Sequence, residues 1–209
     1  MKRIGIFGGT FDPPHKGHIA IAEQAKRQLG LDCVWFIPAY IPPHKHQHSP
    51  TSAQHRLKMI KLAVSGRKKF KISAIELKRR GISYTIDTLK VFKQQFPEAE
   101  LVLIIGADNL SQFNAWKSPR TILQLASLAV YKRKGFNPSL KDSAIDFILL
   151  KGRMLRVSST EIRNRIEKGL PIRALVPNPI VLYIKRHSLY TIPTHIPPKR
   201  QSYENHRVF

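Results

Sequence analysis

The chain has few acidic residues, almost no cysteine and no long apolar run. Only one of its 209 residues is cysteine, Cys33, so neither an intrachain disulfide framework nor a multi-cysteine zinc site can form. Aspartate and glutamate number 13 against 36 lysines and arginines, a formal net charge of +23 with histidine neutral. That excess favours anionic partners (nucleotides, nucleic acid or an anionic surface) without choosing among them. No apolar run approaches the ~18 residues of a membrane span. The stretch after Lys2 and Arg3 covers residues 4–7 before glycines interrupt it, short of the ~7–15 apolar residues in the centre of a signal peptide. The expectation is a soluble, cytoplasmic chain in a reducing compartment. Beside these shortages stands an ordinary globular composition, 42% hydrophobic and 23% charged, which excludes wholesale disorder. A chain of this size buries roughly 70% of its unfolded surface, enough for a core without crosslinks.

Apolar strand-like runs alternate with helix-like ones. RIGIF at residues 3–7 reads as a buried strand broken by Gly8 and Gly9, and a helix follows from about Lys16 to Leu29, ended by Gly30. Residues 34–37 form a second strand stopped by Pro38, and a long loop with Pro42 and Pro43 runs to Pro50. Thr51 and Gln54 fit a capping box before a helix with Leu57, Ile60, Leu62 and Ala63 as its apolar stripe. A strand is expected at 70–73, and a helix after Thr85 carrying Ile86, Leu89, Val91 and Phe92. Residues 101–105 are apolar on both faces, as in a parallel sheet. Ser118 is placed as an N-cap before Pro119. Strands are expected at 128–131 and 147–150, a second capping box at 158–161 opening a helix to about Lys168, and a last helix at 179–187. This alternation predicts an α/β fold with a mostly parallel, doubly wound sheet and helices on both faces. Prolines without helical periodicity after Tyr190 separate a domain at 1–190 from a basic tail at 191–209.

Chemistry concentrates in a few segments. The first turn runs Gly8, Gly9, Thr10, Phe11, Asp12, Pro13, Pro14, His15, Lys16, Gly17, His18. It lies between the first strand and the first helix, where open α/β sheets bind nucleotides. Its glycines admit a ligand to the backbone, and a helix N-terminus offers N–H groups to phosphate. The spacing is neither a Walker loop nor the dinucleotide fingerprint. His15 and His18 can share a helix face and donate to phosphate oxygens. Asp108 and Asn109 follow the strand at 101–105, either as a simple turn or as nucleotide contacts. Ser158, Ser159, Thr160 and Arg163 gather hydroxyls and a guanidinium at one helix start, suited to capping and to phosphate alike. Trp116, in a polar stretch, is read as a stacking plate, and Trp35, in a strand, as core. His44, His46 and His48 alternate on a loop with no carboxylate or cysteine nearby to complete a metal site. The basic clusters at 67–69 and 78–80 come with no nucleic-acid motif, so they read as solvated faces.

With these segments in this order, the chain resembles the His-x-Gly-His nucleotidyltransferases and, among them, the bacterial nicotinate-nucleotide adenylyltransferases. The resemblance covers about residues 1–190 and rests on five segments: 8–18, 42–45, 83–89, 106–109 with Trp116, and 158–163. The chain departs from it at Arg133-Lys134-Gly135, where Arg-Pro-Gly is common, and in the tail. The resemblance implies a Rossmann-like fold and the reaction of ATP with nicotinate mononucleotide to deamido-NAD and pyrophosphate. It implies catalytic roles for His15, His18 and Arg163. ATP would contact Gly8, Gly9, Thr10, Phe11, Gly106, Asp108, Asn109, Ser158, Ser159, Thr160 and Arg163. Nicotinate mononucleotide would contact His44, Lys45, Thr85, Trp116 and Lys117. Mg²⁺ is expected on the ATP phosphates, with no protein ligand assigned. The alternatives are a pantetheine-phosphate or nicotinamide-mononucleotide adenylyltransferase and, from another class, a nucleic-acid-binding protein on the same scaffold. Neither physiological nucleic acid nor a membrane is expected as partner, and a homo-oligomer is left open.

Overall fold

Residues 1–43, 50–132, 145–152 and 155–191 are described by a computed structural model. The expected contacts His44 and Lys45, the alternating His46 and His48, the departure at 133–135 and the tail beyond Thr191 lie outside these residues. Among the described residues, six strands form one sheet in the order β3-β2-β1-β4-β5-β6, and every pairing between them is parallel. They are β1 Arg3–Gly9, β2 Cys33–Pro38, β3 Phe70–Ile72, β4 Glu100–Gly106, β5 Ser127–Tyr131 and β6 Ile148–Leu150. The helices are α1 Lys16–Gln28, α2 Ala53–Val64, α3 Ile75–Arg79, α4 Thr85–Gln95, α5 Ala107–Leu110, α6 Pro119–Leu125, α7 Ser159–Glu167 and α8 Asn178–Arg186. One 3₁₀ turn spans Phe113–Ala115. This is the Rossmann-like order, and β1 lies between β2 and β4, where successive crossovers leave in opposite directions. A crevice opens at the carboxyl ends of strands at such a point.

The period-2 alternation of strands sorts side chains onto two cores. Ile4 and Ile6 of β1 join Leu101, Leu103 and Ile105 of β4 on one face, covered by Ile86, Leu89 and Phe92 of α4 and Ile122 of α6. Phe7, Val102 and Ile104 face the other way, onto Ala22 and Ala25 of α1, Ile60 of α2, Ile162 of α7 and Ile180 of α8. Each fully buried large aliphatic or aromatic side chain contributes roughly 1.5–3 kcal/mol, and both faces are filled by them.

The structure corrects several local expectations. β1 runs through both glycines, because Gly8 pairs with Ile37 and Gly9 with Pro38. α2 is capped one residue later than expected, with the Ser52 hydroxyl accepting from the His55 N–H at 3.3 Å. Its buried stripe is accordingly Arg56, Met59, Ile60, Ala63 and Val64. Ser118 precedes α6 as expected but sits in the left-handed region at φ 56° and makes no side-chain cap. Short α3, α5 and the 3₁₀ turn were not anticipated, being too brief to show a period.

Candidate active site

β1 and β4 deliver the first turn and the Gly106–Asn109 segment side by side at the carboxyl edge of the sheet. A cavity of about 220 Å³ lies between them, lined by Gly8, Gly9, Thr10, Gly106, Asn109, Thr85, Trp116 and Lys117 among others. A whole ligand usually needs ~300–1,000 Å³, so this pocket holds part of a substrate and leaves the rest on the open edge. A Cβ at Gly106 would run into the Asp108 carboxylate and lie 3.2 Å from the Tyr131 ring, so a side chain there would displace both.

His15, His18, Ser158, Ser159, Thr160 and Arg163 do not line this cavity; they form a second cluster where α1 and α7 begin. His15 is the N-cap of α1 and is 6% exposed. Its Nδ1 accepts from the His18 N–H at 3.3 Å, and the His18 Nδ1 accepts from the His15 N–H at 3.2 Å. The two rings stack at 3.6 Å with 23° between their planes. Because each Nδ1 is an acceptor, the hydrogen bonds assign the proton of each neutral ring to Nε2, on the side away from the cap. Gly17 between them is required by space, since a Cβ would stand 2.9 Å from Val157 and 3.0 Å from the His15 ring. The two histidines thus share one side of the helix start, as their spacing predicts: His15 caps the helix, and His18, at its third position, returns the cap.

α7 docks onto the first turn. The Ser159 hydroxyl donates to the Pro13 carbonyl at 2.9 Å, and Arg163 Nη1 donates to the Asp12 carbonyl at 2.8 Å. Arg163 Nη2 also reaches the Thr160 hydroxyl at 3.3 Å. Ser158 caps α7 through the Glu161 N–H at 3.1 Å. Two helix N-termini thus converge, and their unsatisfied N–H groups and positive dipole ends favour an anion between them.

Phe11 departs from its expected role. Its ring is 2% exposed and packs edge-on against Phe7 and His18. Its φ of 52° turns the chain there. Trp116 is half-buried rather than an exposed plate, its ring 5.2 Å from Phe113. Trp35 is packed against Phe92 at 5.4 Å, with the Lys71 ammonium 5.4 Å above its ring. α4 begins at Thr85 with no side-chain cap. The Lys117 ammonium lies 4.5 Å above the Tyr84 ring and 3.6 Å from Asp87. The cavity mouth therefore combines an aromatic wall, a helix N-terminus and a cation.

Four residues that carry the site were not singled out from sequence. Arg56 is 1% exposed and donates to the carbonyls of Thr51, Thr10 and Ala39 at 2.7–2.9 Å, tying the first turn to both ends of the loop between β2 and α2. Burial pushes its guanidinium below the usual value, with Asp12 and Tyr190 opposing. Glu76 is buried in the cavity wall, accepts from the Thr88 hydroxyl at 2.6 Å, and is pushed up by burial, with hydrogen bonds from Thr88 and Ser83 opposing. Asp12 and Tyr190 bond to each other. Asp12 stood in the quoted motif, its signal masked by its neighbours; for Arg56, Glu76 and Tyr190 no local pattern could have served.

Residues 6–165 match the model of the family described as cytidylyltransferase-like. The nicotinate-nucleotide adenylyltransferase of Bacillus subtilis (strain 168) is 40% identical over 190 residues, covering 91% of this chain and 99% of its own. Solved structures of Plasmodium falciparum nicotinic acid mononucleotide adenylyltransferase match with TM-scores of 0.76, in complex with NaAD, and 0.74, in complex with APC. Each is 22% identical and covers 91% of this chain and 98% of that one; that likeness speaks for the fold.

Proposed function

The chain belongs to the cytidylyltransferase-like family and, within it, to the nicotinate-nucleotide adenylyltransferases, and on that premise we infer that it transfers the adenylyl group of ATP to nicotinate mononucleotide, forming deamido-NAD and pyrophosphate. The observation that carries this reading is the placing of two converging helix N-termini beside a cavity with an aromatic and cationic mouth. The first suits a polyphosphate, the second an anionic aromatic ring.

The chemistry asks little of the protein by way of covalent steps. A phosphate oxygen of the mononucleotide attacks the α-phosphorus of ATP. The bond to the β-phosphate oxygen breaks, and pyrophosphate leaves with the electron pair. The nucleophile is already an anion at neutral pH, so no general base is needed. What is needed is alignment of two mutually repelling anions and fixed donors where charge develops. The Nε2–H groups of His15 and His18 and the N-termini of α1 and α7 are proposed as those donors. Arg163, whose head is bonded to the Asp12 carbonyl, is proposed to add charge to the same cluster while holding α7 in place. Gly8, Gly9, Thr10, Gly106, Asp108 and Asn109 are proposed to take the adenosine end, with Gly8 leaving open space where a side chain would begin. Thr85, Trp116 and Lys117 are proposed to take the nicotinate end.

Magnesium is proposed to arrive with ATP and to offset the charge of its phosphates. Among the described residues no group of three His, Cys, Asp or Glu could hold a metal. Asp12, the carboxylate of the first turn, has both oxygens committed to Tyr190 and Thr51. We propose that the ion is held by the substrate phosphates and its own waters.

The test is pyrophosphate release from ATP with nicotinate mononucleotide, nicotinamide mononucleotide or phosphopantetheine as acceptor, run in parallel. Release with the first, well above the other two, is the expected result. Release with phosphopantetheine alone would move the chain to another adenylyltransferase, and no release with any acceptor would make it a binding module.

A further inference from the structure

The C-terminal helix reaches the first turn through one side chain. After α8 the backbone turns sharply, with Ser188 at φ 45° and Tyr190 at φ 65°. Both are left-handed conformations that L residues adopt only where the surroundings hold them. The result carries the Tyr190 ring back across the molecule, and its hydroxyl donates to Asp12 Oδ1 at 2.6 Å across 178 residues of chain. Asp12 Oδ2 accepts from the Thr51 N–H at 3.1 Å, and its main-chain carbonyl accepts from Arg163. Asp12 is 6% exposed. It is thus held by three segments: the residues before α2, the start of α7 and the end of α8.

We propose that Tyr190 is a positioning residue for adenylyl transfer: by clamping Asp12 it locks the turn that leads from the glycines of β1 to His15. This rests on the adenylyltransferase function above and adds to it a residue outside the substrate cavity and outside every motif. The geometry explains why it acts on rate. Asp12 is followed by Pro13, Pro14 and then His15, whose cap and ring are built at the next step of the chain. A shift of the turn moves the His15–His18 pair and the N-terminus of α1 together. Donors to a developing charge work only where they are already in place. The nicotinate end is assigned to the opposite wall of the cavity, α4 and Trp116, whose residues make none of the Asp12 bonds above, so the shift should fall mainly on the donors. The phenol is suited to the role because burial first, then the Asp12 charge and hydrogen bond, push its ionisation well above the usual tyrosine range. It stays a donor at any working pH.

The experiment uses the full chain with Tyr190→Phe, Asp12→Asn and both together. Tyr190→Phe removes the donor and keeps the ring. Asp12→Asn keeps the size and sets an amide N–H₂ where an acceptor is needed. Steady-state kinetics with ATP and nicotinate mononucleotide, and melting curves, are taken for all four proteins. Misplacing a reacting group by about 1 Å costs up to ~10²-fold in rate, so each single variant is expected to lose ~10- to 100-fold in kcat with both KM values within ~3-fold. The double variant is expected to be no slower than the slower single, as for two ends of one contact. A folded Tyr190→Phe protein with kcat within ~2-fold of wild type, well below its melting temperature, would make the contact structural only and overturn the proposal. So would losses that multiply in the double variant, or a loss that falls on KM alone. Wild-type protein that turns over neither mononucleotide would instead remove the adenylyltransferase function itself, a different and separable failure.

Discussion

The two halves of the site are built on different physical terms. Around the first turn, buried and half-buried polar groups distant in sequence are bonded to one another: Asp12 to Tyr190, Arg163 to the Asp12 carbonyl, Ser159 to the Pro13 carbonyl, and Arg56 to the first turn and both ends of the loop before α2. Around the cavity proposed to take the nicotinate ring, α4 brings an uncapped start and the segment before α6 brings Trp116 and Lys117, with an apolar wall behind them. The first half is over-determined, as donors for a moving charge must be. The second is an aromatic slot with a polar mouth, which is enough to hold and sort a ring. Rate should depend mainly on the first half and choice of substrate on the second.

The largest blow to the braced half is Arg56→Ala. It strips three carbonyls of their donor and leaves a hole beneath both halves. Breaking a buried charged network by removing one partner typically costs ~3–5 kcal/mol, so urea unfolding should show a loss on that scale. A loss below ~1 kcal/mol would mean that water replaces the guanidinium readily. Next comes His18→Ala. Loss of one preorganised donor costs ~10²–10³ in kcat, about 3–4 kcal/mol, and ATP affinity should be largely kept. Because His18 also returns the α1 cap, unfolding should register a further ~1 kcal/mol. Near-normal kcat in the folded variant would remove His18 from the mechanism.

Glu76→Gln probes the cavity wall. Burial raises the folded-state pKa of Glu76 above its ordinary 4.5. The folded chain therefore binds more protons than the unfolded one from that value upward to the raised pKa. Its contribution to stability is greatest below pH 4.5 and falls as pH rises through that window. Glutamine has no such slope, so the stability of wild type relative to the variant should decline with rising pH. A difference that is flat with pH would mean that Glu76 is charged at no cost in the folded protein. The smallest effect is expected from ending the chain after Tyr190, which keeps the clamp. Thr191, the last described residue, donates locally to the Ser188 carbonyl. Activity within a few-fold of the full chain is expected; a large loss at unchanged stability would bring the tail into the site.

What was legible in the sequence followed from local rules. Strand and helix order showed through because both faces of the sheet are buried, so apolar runs stand out, and the first turn declared itself by glycines before paired histidines. What was hidden is long-range. Arg56 sits on a buried helix face where periodicity calls for an apolar residue, and only the carbonyls of Thr10, Ala39 and Thr51 explain it. Tyr190 looked like the last residue before a tail because its partner lies 178 positions away. Phe11 was drawn into the site by the glycines around it, although its own ring belongs to the core. Ser52 displaced Thr51 as the cap because adjacent hydroxyl residues offer two registers and tertiary contacts of the Thr51 backbone chose one.

The measurement that bears most directly on the division between the halves is the ratio of kcat/KM for nicotinate mononucleotide over nicotinamide mononucleotide, in wild type and in His18→Ala. In the proposed placement, the N–H groups at the start of α4 and nearby Lys117 would pair with the carboxylate and meet the amide donor against donor, and unpaired polar groups discriminate strongly. The wild-type ratio is expected to be ~10² or more, at about 1.4 kcal/mol per tenfold. In His18→Ala both rates should fall together and leave that ratio within ~3-fold of wild type. A wild-type ratio near one, or a ratio that collapses when His18 is removed, would contradict the account.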